Sequence, residues 1–83
     1  MNKYVFVDNY YAKDPGKYHR VIYIVKAHDE EEAWRKFSKY AIPEFGLKKG
    51  TTLAEVKAYF ADFLTVYGPD NVMDFEGTHY EQV

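Results

Sequence analysis

The sequence predicts an α+β fold in which a small antiparallel sheet packs on two helices, in the order β-β-α-α-β with a further C-terminal strand as an alternative. Three observations predict it. The N-terminal third holds two segments rich in β-branched and aromatic residues, the middle of the chain holds two segments with helical spacing of apolar residues, and a capping signal precedes each of these. With 83 residues, 47% of them apolar, we expect a single domain spanning residues 1–83.

The first two strands are predicted to form a hairpin. Residues 3–11 are rich in Tyr, Val and Phe, and residues 18–27 are mostly β-branched or aromatic. The Asp-Pro-Gly-Lys sequence at residues 14–17 is typical of a type I or type II turn. Because these turn types fit a two-residue hairpin poorly, we expect a longer loop or a bulge, and the register stays open by one residue.

Alternation along the strands divides the hairpin side chains between two faces. Ala27 directly precedes the first predicted helix, so its side of the hairpin is expected to face the helices. That side carries Tyr4, Phe6, Tyr10, Val21, Tyr23, Val25 and Ala27. The opposite side carries an aliphatic cluster consisting of Val5, Val7, Ile22 and Ile24. Such a cluster should not face water, so either the C-terminal segment covers it, or the faces are inverted, or it binds a partner protein or a second copy of the chain.

The first helix is predicted to begin after Asp29, with Glu32 completing a capping box, and to end at Pro43. Its buried face is marked by apolar residues at a spacing of four: Ala33, Phe37 and Ala41. A connection with Phe45 and Leu47 as anchors to the core follows.

The second helix is predicted to begin after Thr52, with Glu55 at the capping-box position, and to extend to residue 67, before Gly68 and Pro69. Its apolar face is the clearest periodic pattern in the chain: Leu53, Val56, Phe60, Phe63, Leu64 and Tyr67. We expect Phe60 and Phe63 to make the main core contacts. One or two short strands are predicted in the tail, at residues 72–75 and 78–83.

Reactive side chains are scarce. The chain has no cysteine, which excludes thiol nucleophiles, disulfides and thiolate metal sites. Its one serine lies within a predicted helix, and its three histidines show none of the short spacings of zinc ligands. The glycines form no phosphate-binding motif, although Lys48 and Lys49 precede the second helix, where an anion is favoured. We therefore predict no enzymatic activity, no metal and no cofactor.

The charge is unevenly distributed along the chain, with +3 over residues 1–28, 0 over residues 29–49 and −5 over residues 50–83. The basic hairpin combines cations with aromatic rings, as surfaces that bind single-stranded nucleic acid do. The residues that would carry this function are Tyr10, Tyr11, Lys13, Lys17, Tyr18, His19 and Arg20. Against it, the pI near 5.9 is low for the task, and no known RNA-binding motif occurs. Nucleic-acid binding is therefore the alternative interpretation.

The preferred interpretation is a small non-catalytic protein–protein interaction module, such as an inhibitor or adaptor encoded by a phage. Tyrosine suits such surfaces because it supplies contact area at low entropic cost. The acidic third would steer a basic partner. The candidate interface residues are the aliphatic cluster and the hairpin tip, which we define as Tyr11, Lys13, Lys17, Tyr18 and Arg20. The expected partner is another protein or a second copy forming a homodimer, and the absence of a long apolar run predicts a cytoplasmic protein without membrane contact.

Overall fold

The computed structural model describes residues 1–8, 20–69 and 78–83, and for residues 20 and 78–81 it describes the backbone. The elements are β1 (Asn2–Asp8), β2 (Arg20–Ala27), α1 (Glu30–Glu44), α2 (Leu53–Phe60), β3 (Leu64–Tyr67) and β4 (Thr78–Gln82). The strands form one sheet in the spatial order β3-β1-β2-β4, and the helices pack on one face of it. The predicted α+β class is confirmed. No described helix is long and apolar enough to cross a membrane.

Three of the four strands are antiparallel neighbours. β1 pairs with β2 in a register that places Phe6 opposite Tyr23, and its other edge pairs with β3, with Phe6 opposite Val66. β4 joins the outer edge of β2 in the parallel direction. The sheet is therefore antiparallel at its centre and mixed at one edge, whereas the sequence predicted antiparallel strands throughout. The predicted turn at residues 14–17 lies outside the described residues.

The helix-packed face of the hairpin is the predicted one. The buried core on this face contains the side chains Tyr4, Phe6, Tyr23, Val25 and Ala27, with Val21 packed against it. The fully buried Phe6 ring stacks on Phe37 of α1 at 4.7 Å between ring centroids. Tyr10 lies outside the described residues.

The aliphatic cluster lies on the opposite face, as predicted, but the structure does not present it as an open surface. Val5, Val7 and Ile22 are 3%, 2% and 1% exposed within a single chain, and Ile24 is partly buried. This burial agrees with the alternative in which the chain itself covers the cluster. An interface built on these side chains would have three of its four residues buried within the chain, and the interface role of the cluster stays a prediction.

The start of α1 follows half of the predicted capping box. Asp29 accepts a hydrogen bond from the Glu32 backbone N–H at 2.8 Å. The Glu32 carboxylate instead binds His28 Nδ1 at 3.0 Å and Lys36 Nζ at 3.3 Å. The hydrogen bond from His28 lowers the pKa of Glu32. The helix thus begins with a charged cluster that ties its first two turns together.

α1 extends past Pro43, where the sequence predicted its end, to Glu44. It ends in a Schellman motif, in which Gly46 at φ 66° donates to the Pro43 carbonyl at 3.3 Å and Leu47 donates to the Ile42 carbonyl at 2.8 Å. Glycine suits this position because it adopts positive φ without a steric penalty. Pro43 has no N–H to donate to the carbonyl four residues earlier, and the helix continues for only one residue beyond it.

α2 ends at Phe60, seven residues before its predicted end, and Leu64–Tyr67 is a strand. Leu64 and Val66 pack against the core, while Thr65 and Tyr67 are exposed, which is the two-residue period of a half-buried strand. Thr, Val and Tyr also favour strands intrinsically. Pairing with the free edge of β1 therefore prevails over the helical spacing.

The predicted capping box of α2 is confirmed, and its contribution to the free energy of unfolding can be measured. Thr52 accepts from the Glu55 N–H at 3.2 Å, and the Glu55 carboxylate accepts from the Thr52 N–H at 3.1 Å and from its hydroxyl at 2.9 Å. We expect Thr52→Ala to lower the free energy of unfolding by about 1 kcal/mol, measured by chemical denaturation, while Thr52→Ser stays close to wild type. Equal stability of the two variants would contradict the role of the hydroxyl.

The same capping box has a pH dependence. Hydrogen bonds from the Thr52 backbone N–H and then its hydroxyl lower the pKa of Glu55 below its ordinary 4.5. A carboxylate whose pKa is lower in the folded than in the unfolded state stabilises the fold at pH values above its unfolded-state pKa. This contribution is lost as the pH falls through its folded-state pKa. Thr52→Ala keeps the backbone donor and removes the hydroxyl, so the part of the stability difference that comes from the hydroxyl–Glu55 hydrogen bond should be full above pH 4.5 and shrink below it.

Candidate functional site

A pocket of about 420 Å³ opens where the end of β1 meets the C-terminal ends of both helices. The described residues that line it are Asp8, Phe45, Tyr59 and Phe63, and we call it the aromatic pocket. Its volume falls within the range of roughly 300–1,000 Å³ that is typical of ligand sites. The described part of its lining combines one acidic side chain with three aromatic rings.

Asp8 reaches the pocket because of its position in the strand. It is the last residue of β1 and shares the helix-packed face with Tyr4 and Phe6. It pairs with Leu64 of β3, which directly follows Phe63 in the chain. The side chain is only 8% exposed, and it interacts with other parts of the chain. The pocket therefore has a carboxylate in a largely desolvated wall.

The aromatic residues come from the ends of the two helices. Phe45 is the C-cap of α1, and the Schellman motif that follows fixes the direction of its backbone. Tyr59 lies in the last turn of α2, and Phe63 lies in the turn after it, where the Phe63 N–H donates to the Phe60 carbonyl at 3.2 Å. Backbone hydrogen bonds at both helix ends thus hold the pocket walls.

Phe60 stands behind the three pocket rings and is fully buried. Its ring centroid lies 5.0 Å from Phe45, 4.9 Å from Tyr59 and 5.3 Å from Phe63. Tyr59 and Phe63 make an edge-to-face contact, with their ring centroids 5.9 Å apart and their ring planes at 81°. These edge-to-face contacts fix the rings, since such pairs contribute about 0.5–1.5 kcal/mol each beyond burial. The pocket is preorganised by the core beneath it.

Two acidic residues are chain neighbours of described pocket residues. Glu44 directly precedes Phe45, Asp62 directly precedes Phe63, and both are exposed. Lys57 lies two residues before Tyr59, but its ammonium is 5.6 Å from the centre of the Trp34 ring, which is not among the described lining residues. The described wall carries the Asp8 carboxylate and no basic side chain. This arrangement favours a cation and disfavours a phosphate.

Most of the residues that the sequence predicted to form an interface are either buried or outside the described residues. The aliphatic cluster is largely buried, as described above. Four members of the hairpin tip, together with Tyr10 and His19, lie outside the described residues, and Arg20 is described only by its backbone in β2. No residue of the aliphatic cluster is among the described lining of the aromatic pocket. The structure therefore leaves the hairpin-tip hypothesis as a prediction.

At the anion site considered beside Lys48 and Lys49, a negative group of the chain itself lies at the start of α2. Both lysines are exposed, but the Glu55 carboxylate binds the first free N–H of α2. A second anion there would face a like charge. Within the residues that the structure describes, no group of three or more His, Cys, Asp or Glu side chains is arranged to hold a metal ion.

Sequence reasoning did not single out Asp8 or Tyr59 as site residues. Tyr59 is 47% exposed and lies off the apolar face of α2 that Val56 and Phe60 define. An aromatic residue on the solvent side of a helix was the signal that would have identified it. Asp8 carried a comparable signal, because it is an acidic residue that continues the buried face of a strand.

No protein family model, curated protein or solved structure matches this chain. The chemistry of the aromatic pocket is therefore the basis for a functional assignment.

Proposed function

We propose that this chain is a non-catalytic protein-interaction module, an inhibitor or adaptor that occupies a partner's surface through the aromatic pocket. The observation that carries the proposal is the exposed Tyr59 ring beside the nearly buried Asp8 carboxylate in a pocket walled by aromatic residues. Such sites concentrate binding energy, because interface hot spots are aromatic residues and charges in well-packed pockets.

The local fold supports the proposal, since the pocket needs no rearrangement to receive a partner. Its rings are fixed by Phe60 from behind, and its backbone is fixed by the hydrogen bonds that end α1 and begin the turn after α2. Preorganisation lowers the entropic cost of association. A partner other than a second copy is favoured, because the aliphatic cluster that would serve a homodimer is mostly buried in the single chain.

The proposal is tested by affinity capture from the cells that produce the protein, with matched tyrosine variants as bait. We expect wild type and Tyr67→Ala to recover the same partner protein, and Tyr59→Ala to recover at least about fivefold less. Tyr67 is a suitable control because it is a second exposed tyrosine, at 37% against 47%, outside the described pocket lining. Recovery should survive nuclease treatment.

The nucleic-acid alternative gives a different result in the same experiment. A surface that contacts several phosphates loses about 10³–10⁵ in affinity between 50 and 200 mM salt, whereas a pocket with one ion pair responds weakly. Recovery of nucleic acid, with capture lost on nuclease treatment or at moderate salt, would overturn the protein-binding function. Equal capture by Tyr59→Ala and Tyr67→Ala would show that the aromatic pocket is not the surface that binds the partner.

A further inference from the structure

We infer that the aromatic pocket binds an arginine side chain of a partner protein, an inference that rests on the proposed function and names the group recognised. The described lining offers a carboxylate and three aromatic rings in one cavity. A guanidinium group is complementary to both, because it binds carboxylates through a planar fork of N–H donors and stacks on aromatic faces.

The carboxylate selects for positive charge. Asp8 is 8% exposed, so an added cation would interact with it in a medium of lower polarity than water. Asp8 also interacts with the rest of the chain, but a carboxylate has about four acceptor positions and can serve the chain and a ligand together. The exposed Glu44 and Asp62 beside the pocket residues add to the attraction. A phosphate or carboxylate ligand would be repelled by the same charges.

The rings select for a planar cation. Tyr59 and Phe63 stand 81° apart at 5.9 Å, so a flat group stacked on one ring meets the other ring edge-on. Arginine stacks in this way while its N–H groups point in the plane of the guanidinium, toward an acceptor in the wall such as Asp8. The ammonium of lysine has no plane to stack. Within the described chain the one ammonium held over a ring, that of Lys57 on Trp34, lies outside the described lining.

The test uses four blocked tripeptides with the full chain: acetyl-Gly-X-Gly-amide, in which X is arginine, citrulline, lysine or norleucine. Citrulline matches the shape of arginine without its charge. Binding is followed by NMR through the ring resonances of Tyr59 and Phe63. We expect the arginine peptide to bind with a Kd on the order of 1–10 mM, as suits one side chain, and the other three to bind at least about fivefold more weakly.

Three variants assign the effect to the pocket. We expect Tyr59→Ala to weaken arginine binding about threefold to fivefold, as loss of a cation–π contact does, and Tyr67→Ala to leave it unchanged. Asp8→Asn should abolish the preference for arginine over citrulline. If Asp8→Asn does not fold, two measurements still decide whether arginine binds in the pocket: the comparison of the two tyrosine variants, and the series of four peptides with wild type.

Several outcomes would overturn the inference. Equal binding of citrulline or lysine would show that a planar cation is not selected, tighter binding of norleucine would show an apolar occupant, and no response to arginine up to about 50 mM would show no site at all. Equal effects of the two tyrosine variants would place binding elsewhere. A partner captured through Tyr59 without arginine preference would overturn the inference and leave the proposed function standing.

Discussion

Phe60→Ala is expected to lower the free energy of unfolding by about 3–5 kcal/mol, the usual cost of emptying a buried phenylalanine site. Phe60 is fully buried and contacts Phe37 of α1 at 5.3 Å as well as the three rings of the aromatic pocket. A chain of 83 residues has a total stability on the order of 4–12 kcal/mol, so a large part of it is lost. Chemical denaturation followed by circular dichroism measures the change.

Tyr59→Ala is the matched control, because it removes the neighbouring aromatic ring of the same helix from a position that is 47% exposed. We expect it to cost about 1 kcal/mol, because the half-exposed ring leaves no buried cavity and loses mainly its edge-to-face contacts with Phe60 and Phe63. If Phe60→Ala also unfolds within about 1 kcal/mol of wild type, α2 does not pack on the core through this residue, and the pocket has lost its support from behind.

The faces of the hairpin were predictable from the sequence because strand alternation permits only two solutions. One anchored residue decides between them. Ala27 lies two residues before Asp29, the N-cap of α1, and a small side chain there lets the chain turn back onto the sheet, so the whole set from Tyr4 to Val25 follows. Whether the opposite face is buried could not be predicted from the sequence, because alternation shows which side chains share a face and does not show what covers them.

The end of α2 was not predictable from periodicity, because the same residues satisfy two patterns. Leu64 and Tyr67 continue the helical spacing from Phe60, while Leu64 and Val66 alternate with exposed neighbours as in a strand. Local preference of Thr, Val and Tyr for strands is weak compared with tertiary context. The deciding contribution is pairing with the second edge of β1, a tertiary contact that the local spacing of apolar residues does not encode.

The aromatic pocket was not predictable from the sequence, for a related reason. Its described residues come from the end of β1, the cap of α1 and the region around the end of α2, which are far apart along the chain. Phe45 was recognised as a core anchor and Phe63 as part of an apolar face, since each looks hydrophobic in isolation. Only the shortened helix and the strand after it bring Phe63 beside Asp8 through the pairing of Asp8 with Leu64.

Gly68→Ala is expected to destabilise the fold by about 1–3 kcal/mol, as overpacking of a filled site does. Gly68 follows β3, whose last residue, Tyr67, pairs with Val5, and this places Gly68 beside the buried Tyr4. A Cβ atom at Gly68 would overlap the Tyr4 ring at Cδ1 and lie 2.8 Å from Cε1, closer than real Cβ contacts. The ring is 6% exposed on the helix-packed face, so it has little room to move.

A double-mutant cycle separates this clash from a backbone effect of replacing glycine. Tyr4→Val removes the two ring atoms nearest to a Cβ at Gly68, Cδ1 and Cε1, so Gly68→Ala should cost at least about 1 kcal/mol less in the Tyr4→Val background than in wild type. Denaturation midpoints of the four proteins supply the coupling energy. If Gly68→Ala costs the same with and without the Tyr4 ring, the close approach does not set the requirement for glycine, and β3 ends against a different part of the core.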